Sequence, residues 1–409
     1  MSDLVLSGVR IASAEADAVW DVGISAGVID RVGTASETDG GEVRDCSGLT
    51  LFPGFIDIHN HGAVGVDVNE ADVDGLIAIG EYLATQGVTA WVPTLVPDSD
   101  EVYRRVIEAI DGLMEIQSGR AIAQAVGVHY EGVFANEKMC GALRPEFFKV
   151  FHSAGGGLDD ALKAGTTKNT KSTKIYGNTA SGISLPRLKD GVHMTTFAPE
   201  IENGIELAVE LKKENWIACI GHTKADTERL DRAAAAGAKH VTHFFNAMTG
   251  IHHRDVGVAG WALTNPEVTF DIIADGIHVA PRMVEMACRV KTPDKSILIS
   301  DSVAPTGLGD GEYELWGEKV TVENKRTRNE RGSIAGSVIS MFDAVNGVRS
   351  IGFSPAAVAK MSSANPARLL GLEASRGSVE TGKRADLVAV DAEGSIAFVL
   401  IGGRVAYQA

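Results

Sequence analysis

A chain of 409 residues with 44% hydrophobic content can bury a large core, so extended disorder is excluded as its organising principle. Its 54 acidic against 38 basic residues leave a net charge of −16, which argues against a nucleic-acid or anionic-membrane surface, since both demand a positive face. Cys46, Cys140, Cys219 and Cys288 lie far apart with no CxxC pair, which fits neither a disulfide framework nor a zinc ribbon and points to a reducing cytoplasm. The start, "MSDLVLSGVRIASAEADAVW", has no basic stretch leading into an apolar one, and no apolar run is long enough for a membrane helix, so the sequence reads as soluble.

From the N-terminus, "DLVLSGVRI" and "DVGISAGVIDRVG" alternate apolar and polar positions as half-buried antiparallel strands do. "RADLVAVD" and "IAFVLIGGRVA" repeat the pattern near the C-terminus. The reading is a small β-sandwich domain built from residues 1–52 and 377–409, enclosing a different middle, 53–376. That middle alternates apolar strand candidates with helical patterns, the signature of a parallel sheet with crossover helices. In order the strands are "FIDIH", "GVTAWVPT", "AVGVHYE", "HMTTFAP", "WIACIGH", "KHVTHFF", "FDIIADG" and "ILISD". Eight βα units predict an α/β (β/α)8 TIM barrel whose chemistry sits at the C-terminal strand ends. A doubly wound sheet competes, but no GxGxxG opens a helix after a first strand. Residues 163–184, rich in Lys, Thr, Ser, Asn and Gly, read as an exposed loop or a lid.

Ionisable residues gather where these strands stop: His59 and His61, Glu131, His222, His243 and Asp301. In a barrel they converge on the mouth, and imidazole and carboxylate are the donors that hold Zn²⁺ or a similar divalent ion. Asp301 would then carry the proton of an activated water. Each has a bland alternative: a lone strand-end histidine such as His222 can be hydrogen-bonded packing, and Asp301 can be a helix N-cap in "SDSVAPTG".

"PGFIDIHNHG", followed by strand-end His, His and Asp, resembles the amidohydrolase superfamily over nearly the whole chain. "VHYEG", "GHTKAD", "THFFNAM", "IIADGIHVAP" and "SDSVAPTG" resemble the N-acetylglucosamine-6-phosphate deacetylase family within it. The resemblance implies a principal divalent metal, zinc foremost, on Glu131, His222 and His243, with Asp301 as catalytic acid/base. It implies substrate contacts at Ala142, Asn246, Ala247, Arg254, His278, Ile334, Ala335 and Gly336, with Arg254 suited to phosphate by its planar fork. Arg254 as a surface salt bridge is the plain alternative. His59 and His61 allow a second ion, shared through Glu131 and near Asp301, or are a hydrogen-bonded pair beside a one-metal site. A homodimer is also implied, in which the neighbouring subunit completes the phosphate pocket.

Two departures stand out: Val133 replaces the proline usual after "EG", and Leu143 stands where a pocket histidine is expected. Arg144 beside it contacts an anionic group or is solvated. Three functions stay open: deacetylation of an amino-sugar 6-phosphate, hydrolysis of another amide such as an N-acyl amino acid, and a non-catalytic scaffold.

Overall fold

The computed structural model describes residues 2–14, 18–34, 41–152 and 182–409. The loop or lid read at 163–184 lies almost wholly outside the described residues.

All eight anticipated barrel strands are present: Phe55–Asn60, Val88–Leu95, Gly127–Phe134, Val192–Phe197, Ile217–Ile220, His240–Val241, Thr269–Ile273 and Ser296–Ile299. They pair in parallel in chain order. The second and third are buried at every position, because helices cover the outside while side chains fill the inside. Strands one and eight close the barrel: the Asp301 N–H donates to His59 O at 3.0 Å and the His61 N–H to Ser302 O at 2.8 Å. The seam therefore runs through the residues expected to do chemistry.

The helices start where local caps dictate. Asp72 accepts from the Gly75 N–H ahead of Val73–Thr85, and Ser99 from the Val102 N–H ahead of Asp100–Ile116. Their apolar faces pack onto the strands in one continuous core.

Strands from both termini share one mixed sheet: Leu4–Ile11, Trp20–Ser25, Val28–Gly33, Glu42–Asp45 and Thr50–Pro53 with Leu387–Val390, Ile396–Ile401 and Arg404–Gln408. Leu6, Val22, Ile29 and Leu51 meet Leu387, Phe398 and Leu400 in its core. The antiparallel reading holds for Leu4–Ile11 with Trp20–Ser25 and for Trp20–Ser25 with Val28–Gly33, but Leu4–Ile11 also runs parallel to Glu42–Asp45 and Thr50–Pro53. Alternation reports which face is buried and is blind to strand direction. "IAFVLIGGRVA" holds two strands, turned by Gly402 and Gly403 at φ 55° and 73°. Unanticipated is a three-stranded meander, Gly311–Leu315, Glu318–Glu323 and Arg326–Asn329, between the eighth strand and the helix Met341–Ser350.

Candidate metal centre and active site

His222, His243 and Asp301 each follow their strand at positive φ, 47°, 33° and 50°. None is glycine, so the backbone is strained there, as it commonly is where side chains must turn into a site. The turns deliver the groups to one place. Glu131 Oε1 lies 3.0 Å from His222 Nε2 and 2.9 Å from His243 Nε2, and those two nitrogens are 3.0 Å apart. On the other side, Glu131 Oε2 is 3.2 Å from His61 Nε2, and His59 Nε2 and His61 Nε2 are 3.1 Å apart. Asp301 Oδ1 faces both, at 3.5 and 3.4 Å. Two groups, His59–His61–Glu131 and Glu131–His222–His243, thus share one carboxylate, with donor atoms within 4.8 Å in each.

The tautomers show what these clusters require. His61 Nδ1 is 3.1 Å from Thr94 O and His222 Nδ1 is 2.8 Å from Met139 O; a carbonyl only accepts, so both Nδ1 atoms carry hydrogen. In the neutral rings Nε2 then presents a lone pair to carboxylate lone pairs and to a second imidazole. Such an array is repulsive until positive charge enters it, and nitrogen and oxygen donors at contact distance around a shared carboxylate fit a divalent ion. Protons supply that charge in the ion's place: burial opposes it, but Asp301 and Glu131 push His61 up to about 10, and Glu131 pushes His243 up to about 9. Burial likewise opposes ionisation of Glu131 and Asp301, yet the surrounding histidines, His59 first, hold Glu131 well below the usual carboxylate range and Asp301 below its ordinary value.

A buried polar layer fixes these ligand-type residues from beneath. Asp271 accepts the His243 N–H on one oxygen and pairs with His240 Nε2 at 2.9 Å on the other. Asp57 takes the Ser300 hydroxyl at 2.6 Å, and Asn60 donates to Ser302 Oγ at 2.6 Å, pinning the seam between strands one and eight. His129 sits under His59 with rings edge-to-face at 4.8 Å, and burial, with His59 next, keeps it uncharged.

A cavity of about 300 Å³ opens over the cluster. Ala142, Asn246, Ala247, His278, Ile334 and Gly336 line it, with His61, Glu131, His222, His243 and Asp301 also facing it. His278 donates Nδ1–H to Asp275 at 2.7 Å, leaving Nε2 for a ligand. His59 and Ala335 are buried behind the wall, 0% and 1% exposed. Arg254 is exposed on the loop before the helix Gly257–Thr264, its guanidinium 2.6 Å from His253 Nε2, and does not line the cavity of its own chain. Arg144 pairs with Asp98 instead of reaching the mouth. Leu143 does line the cavity, packed over Gly132 so closely that a Cβ there would lie 2.1 Å from Leu143 Cδ1. Trp316 and Ser333 also line it and escaped the sequence reading. The signal for the first was present in "EYELWGEKVTVE", period-two alternation either side of a two-residue turn.

An eight-stranded parallel barrel, closed through the backbone of His59, His61 and Asp301 and joined to a mixed sheet from both termini, defines the class. Residues 50–406 match the amidohydrolase family, and the chain belongs to it. It is similar to the N-acetylglucosamine-6-phosphate deacetylase of Bacillus subtilis, 33% identical over 94% of this chain and 92% of that one. It is similar also to the N-acetylgalactosamine-6-phosphate deacetylase of Escherichia coli O157:H7, 32% identical over 93% of each. Among solved structures, the N-acetylglucosamine-6-phosphate deacetylase of Thermotoga maritima superposes with a TM-score of 0.81 at 29% identity, covering 99% of this chain and 100% of that one. A Mycobacterium smegmatis deacetylase in complex with N-acetyl-D-glucosamine-6-phosphate gives 0.82 at 26% identity, covering all of both chains.

Proposed function

We propose that the protein is a metal-dependent deacetylase that hydrolyses N-acetylglucosamine 6-phosphate, or its galacto epimer, to acetate and the amino-sugar 6-phosphate. The observation that carries this reading is Glu131 held between two histidine pairs, with Asp301 facing them from the eighth strand. Glu131, His222 and His243 would hold the principal ion and His59, His61 and Glu131 a second; borderline nitrogen and carboxylate donors favour zinc. When bound, such an ion polarises the amide carbonyl and makes water nucleophilic at neutral pH.

The chain's own residues do the rest. Asp301, ionised and within reach of the cluster, takes a proton as the water oxygen bonds to the carbonyl carbon. It returns that proton to the nitrogen as the C–N bond breaks. Asn246, Ala247 and His278 hold the sugar, with Ile334, Ala335 and Gly336 approaching it largely through backbone. Arg254, exposed and outside its own cavity, serves the phosphate in the pocket of a partner subunit, so the working form is a homodimer. Four free cysteines support a cytoplasmic setting, and among the described residues no helix is long and apolar enough to cross a membrane.

The test is acetate release from N-acetylglucosamine and N-acetylgalactosamine, each with and without the 6-phosphate, alongside N-acetyl amino acids. Dependence on the phosphate is expected. Equal rates on both sugar forms, or turnover of acyl amino acids alone, would replace this reading with the second one, which the apolar Leu143 in the cavity wall favours.

A further inference from the structure

The meander between the eighth strand and the helix Met341–Ser350 turns at Trp316 and Gly317, both at positive φ, 55° and 76°. Glycine adopts that conformation freely, whereas a bulky aromatic residue there is an outlier that the surroundings must hold in place. What the strain achieves is visible: the indole projects over the cavity and meets the His61 ring edge-on, 5.5 Å between centroids at 77°. Its Nε1 and Asp67 Oδ2 are both buried and, among the described residues, neither has a hydrogen-bond partner.

Trp316 does not stand alone. It packs with Ala142 onto Val303, Ala304, Leu315, Val320 and Ala335. Arg331 ties the meander to the loop carrying Ala142 and Leu143, pairing with Glu318 at 3.0 Å and donating to Ala142 O at 2.9 Å. The cavity consequently has two unlike walls. Asn246 and His278, from the loops after strands six and seven, make one polar. Ala142, Leu143 and Trp316, over strands one and three, make the other apolar.

We propose that Trp316 is a specificity-determining residue: with Ala142 and Leu143 it forms the wall that receives the acyl group, and its indole limits that group's length. This rests on the reading of the site as an amide hydrolase for an acylated amino sugar. A sugar held along the polar wall, with its amide over the metal-type cluster, directs its one apolar end toward the opposite wall. Burying a methyl against Leu143 and the indole is favourable, while a longer chain meets the ring, which the packing on Val303, Leu315 and Val320 and the His61 edge hold in place.

Two ratios test this in the zinc-loaded protein. The first is kcat/KM for N-butyryl- against N-acetylglucosamine 6-phosphate. The second is the affinity for butyrohydroxamate against acetohydroxamate, measured by calorimetry, which needs no sugar and no turnover. In the wild type both should favour the acetyl compound, the sugar ratio by roughly 10-fold or more, the scale at which a pocket rejects added methylenes. Trp316→Gly, a residue suited to the φ of that turn, should shift each ratio toward butyryl by roughly 10-fold, with Trp316→Phe between the two. Ratios within one protein are insensitive to partial loss of folded material. If the sugars are inert while the hydroxamate ratio moves, the substrate reading fails and the wall assignment stands. A hydroxamate ratio that both variants leave unchanged, or absence of hydroxamate binding, overturns the inference whatever the sugars do.

Discussion

Glu131 and His243, 112 positions apart, come to 2.9 Å because strands three and six deliver them to the same end of one barrel. His222 joins them on one side of Glu131, and His59 and His61 on the other.

Sharing of Glu131 sets the expected metal stoichiometry. Glu131→Ala should bind no ion tightly, while His59→Ala combined with His61→Ala should keep one, because Glu131, His222 and His243 remain. Elemental analysis after saturation and desalting reads this directly. Two ions retained by the double variant would show the first-strand histidines to be packing.

Asp301→Asn keeps the size of the side chain and removes its basicity. We expect kcat to fall by about 10² or more, the scale of a lost general base, with the circular dichroism and melting profile preserved. Near wild-type turnover would reduce Asp301 to a structural residue at the barrel seam.

Asp271 supports the site through the backbone N–H of His243, which it accepts, and pairs with His240 beside it. Asp271→Ala should weaken metal affinity by roughly 10- to 100-fold, as loss of a ligand's supporting partner does, with turnover recovered at excess metal. Competition against a chelator measures the affinity. Loss of turnover that excess metal does not restore would point to a general packing defect.

Arg254 and Asp301 allow a test of shared sites. If Arg254 completes the partner's pocket, Arg254→Ala and Asp301→Asn chains are each impaired alone, but a random mixed dimer has one site with both residues intact. Co-refolded at equal amounts, they should recover about a quarter of wild-type activity on the phosphorylated sugar, as two-fold symmetry predicts. No recovery, in protein shown to have exchanged subunits, would return Arg254 to the site of its own chain, and an unimpaired Arg254→Ala chain would place it outside the phosphate site.

The metal-stripped protein should show a defined pH response. His61 and His243 stay protonated up to about 10 and about 9 in the folded state. Both lie above the roughly 6.5 of an unfolded histidine, so their contribution to stability is complete below about pH 6.5 and is lost as pH rises through 9 and 10. Glu131 and Asp301 are shifted down, so their contribution is present above the unfolded carboxylate range and disappears on acidification. Melting temperature without metal should therefore decline on both sides of neutrality. Metal displaces the histidine protons, so calorimetric titration at pH 7.5 in buffers of different ionisation enthalpy should register proton release. A flat melting profile from pH 8 to 10.5 without metal, together with no proton release, would contradict the charge arrangement.

Much of this could be read along the chain. A parallel strand buried on both faces needs an apolar run, as in "GVTAWVPT", and a polar residue that ends such a run in a barrel faces the mouth; both signals are local. His59, His61, Glu131, His222, His243 and Asp301 were legible for that reason, as were the β strands at the two termini. Three things were not. Strand direction in the terminal sheet was hidden, because alternation is the same for parallel and antiparallel neighbours. The exclusion of Arg254 from its own cavity depends on where its loop leaves the barrel, and the arrival of Trp316 over His61 depends on a meander folding back across the mouth. Sharing of Glu131 between two histidine pairs was already implied by the family resemblance, but its distances arose only on closure, when the seam at His59, His61 and Asp301 met strands three, five and six. Sequence spacing determines which residues end strands; distances between those ends are set by barrel closure, which couples positions hundreds of residues apart and leaves no local trace.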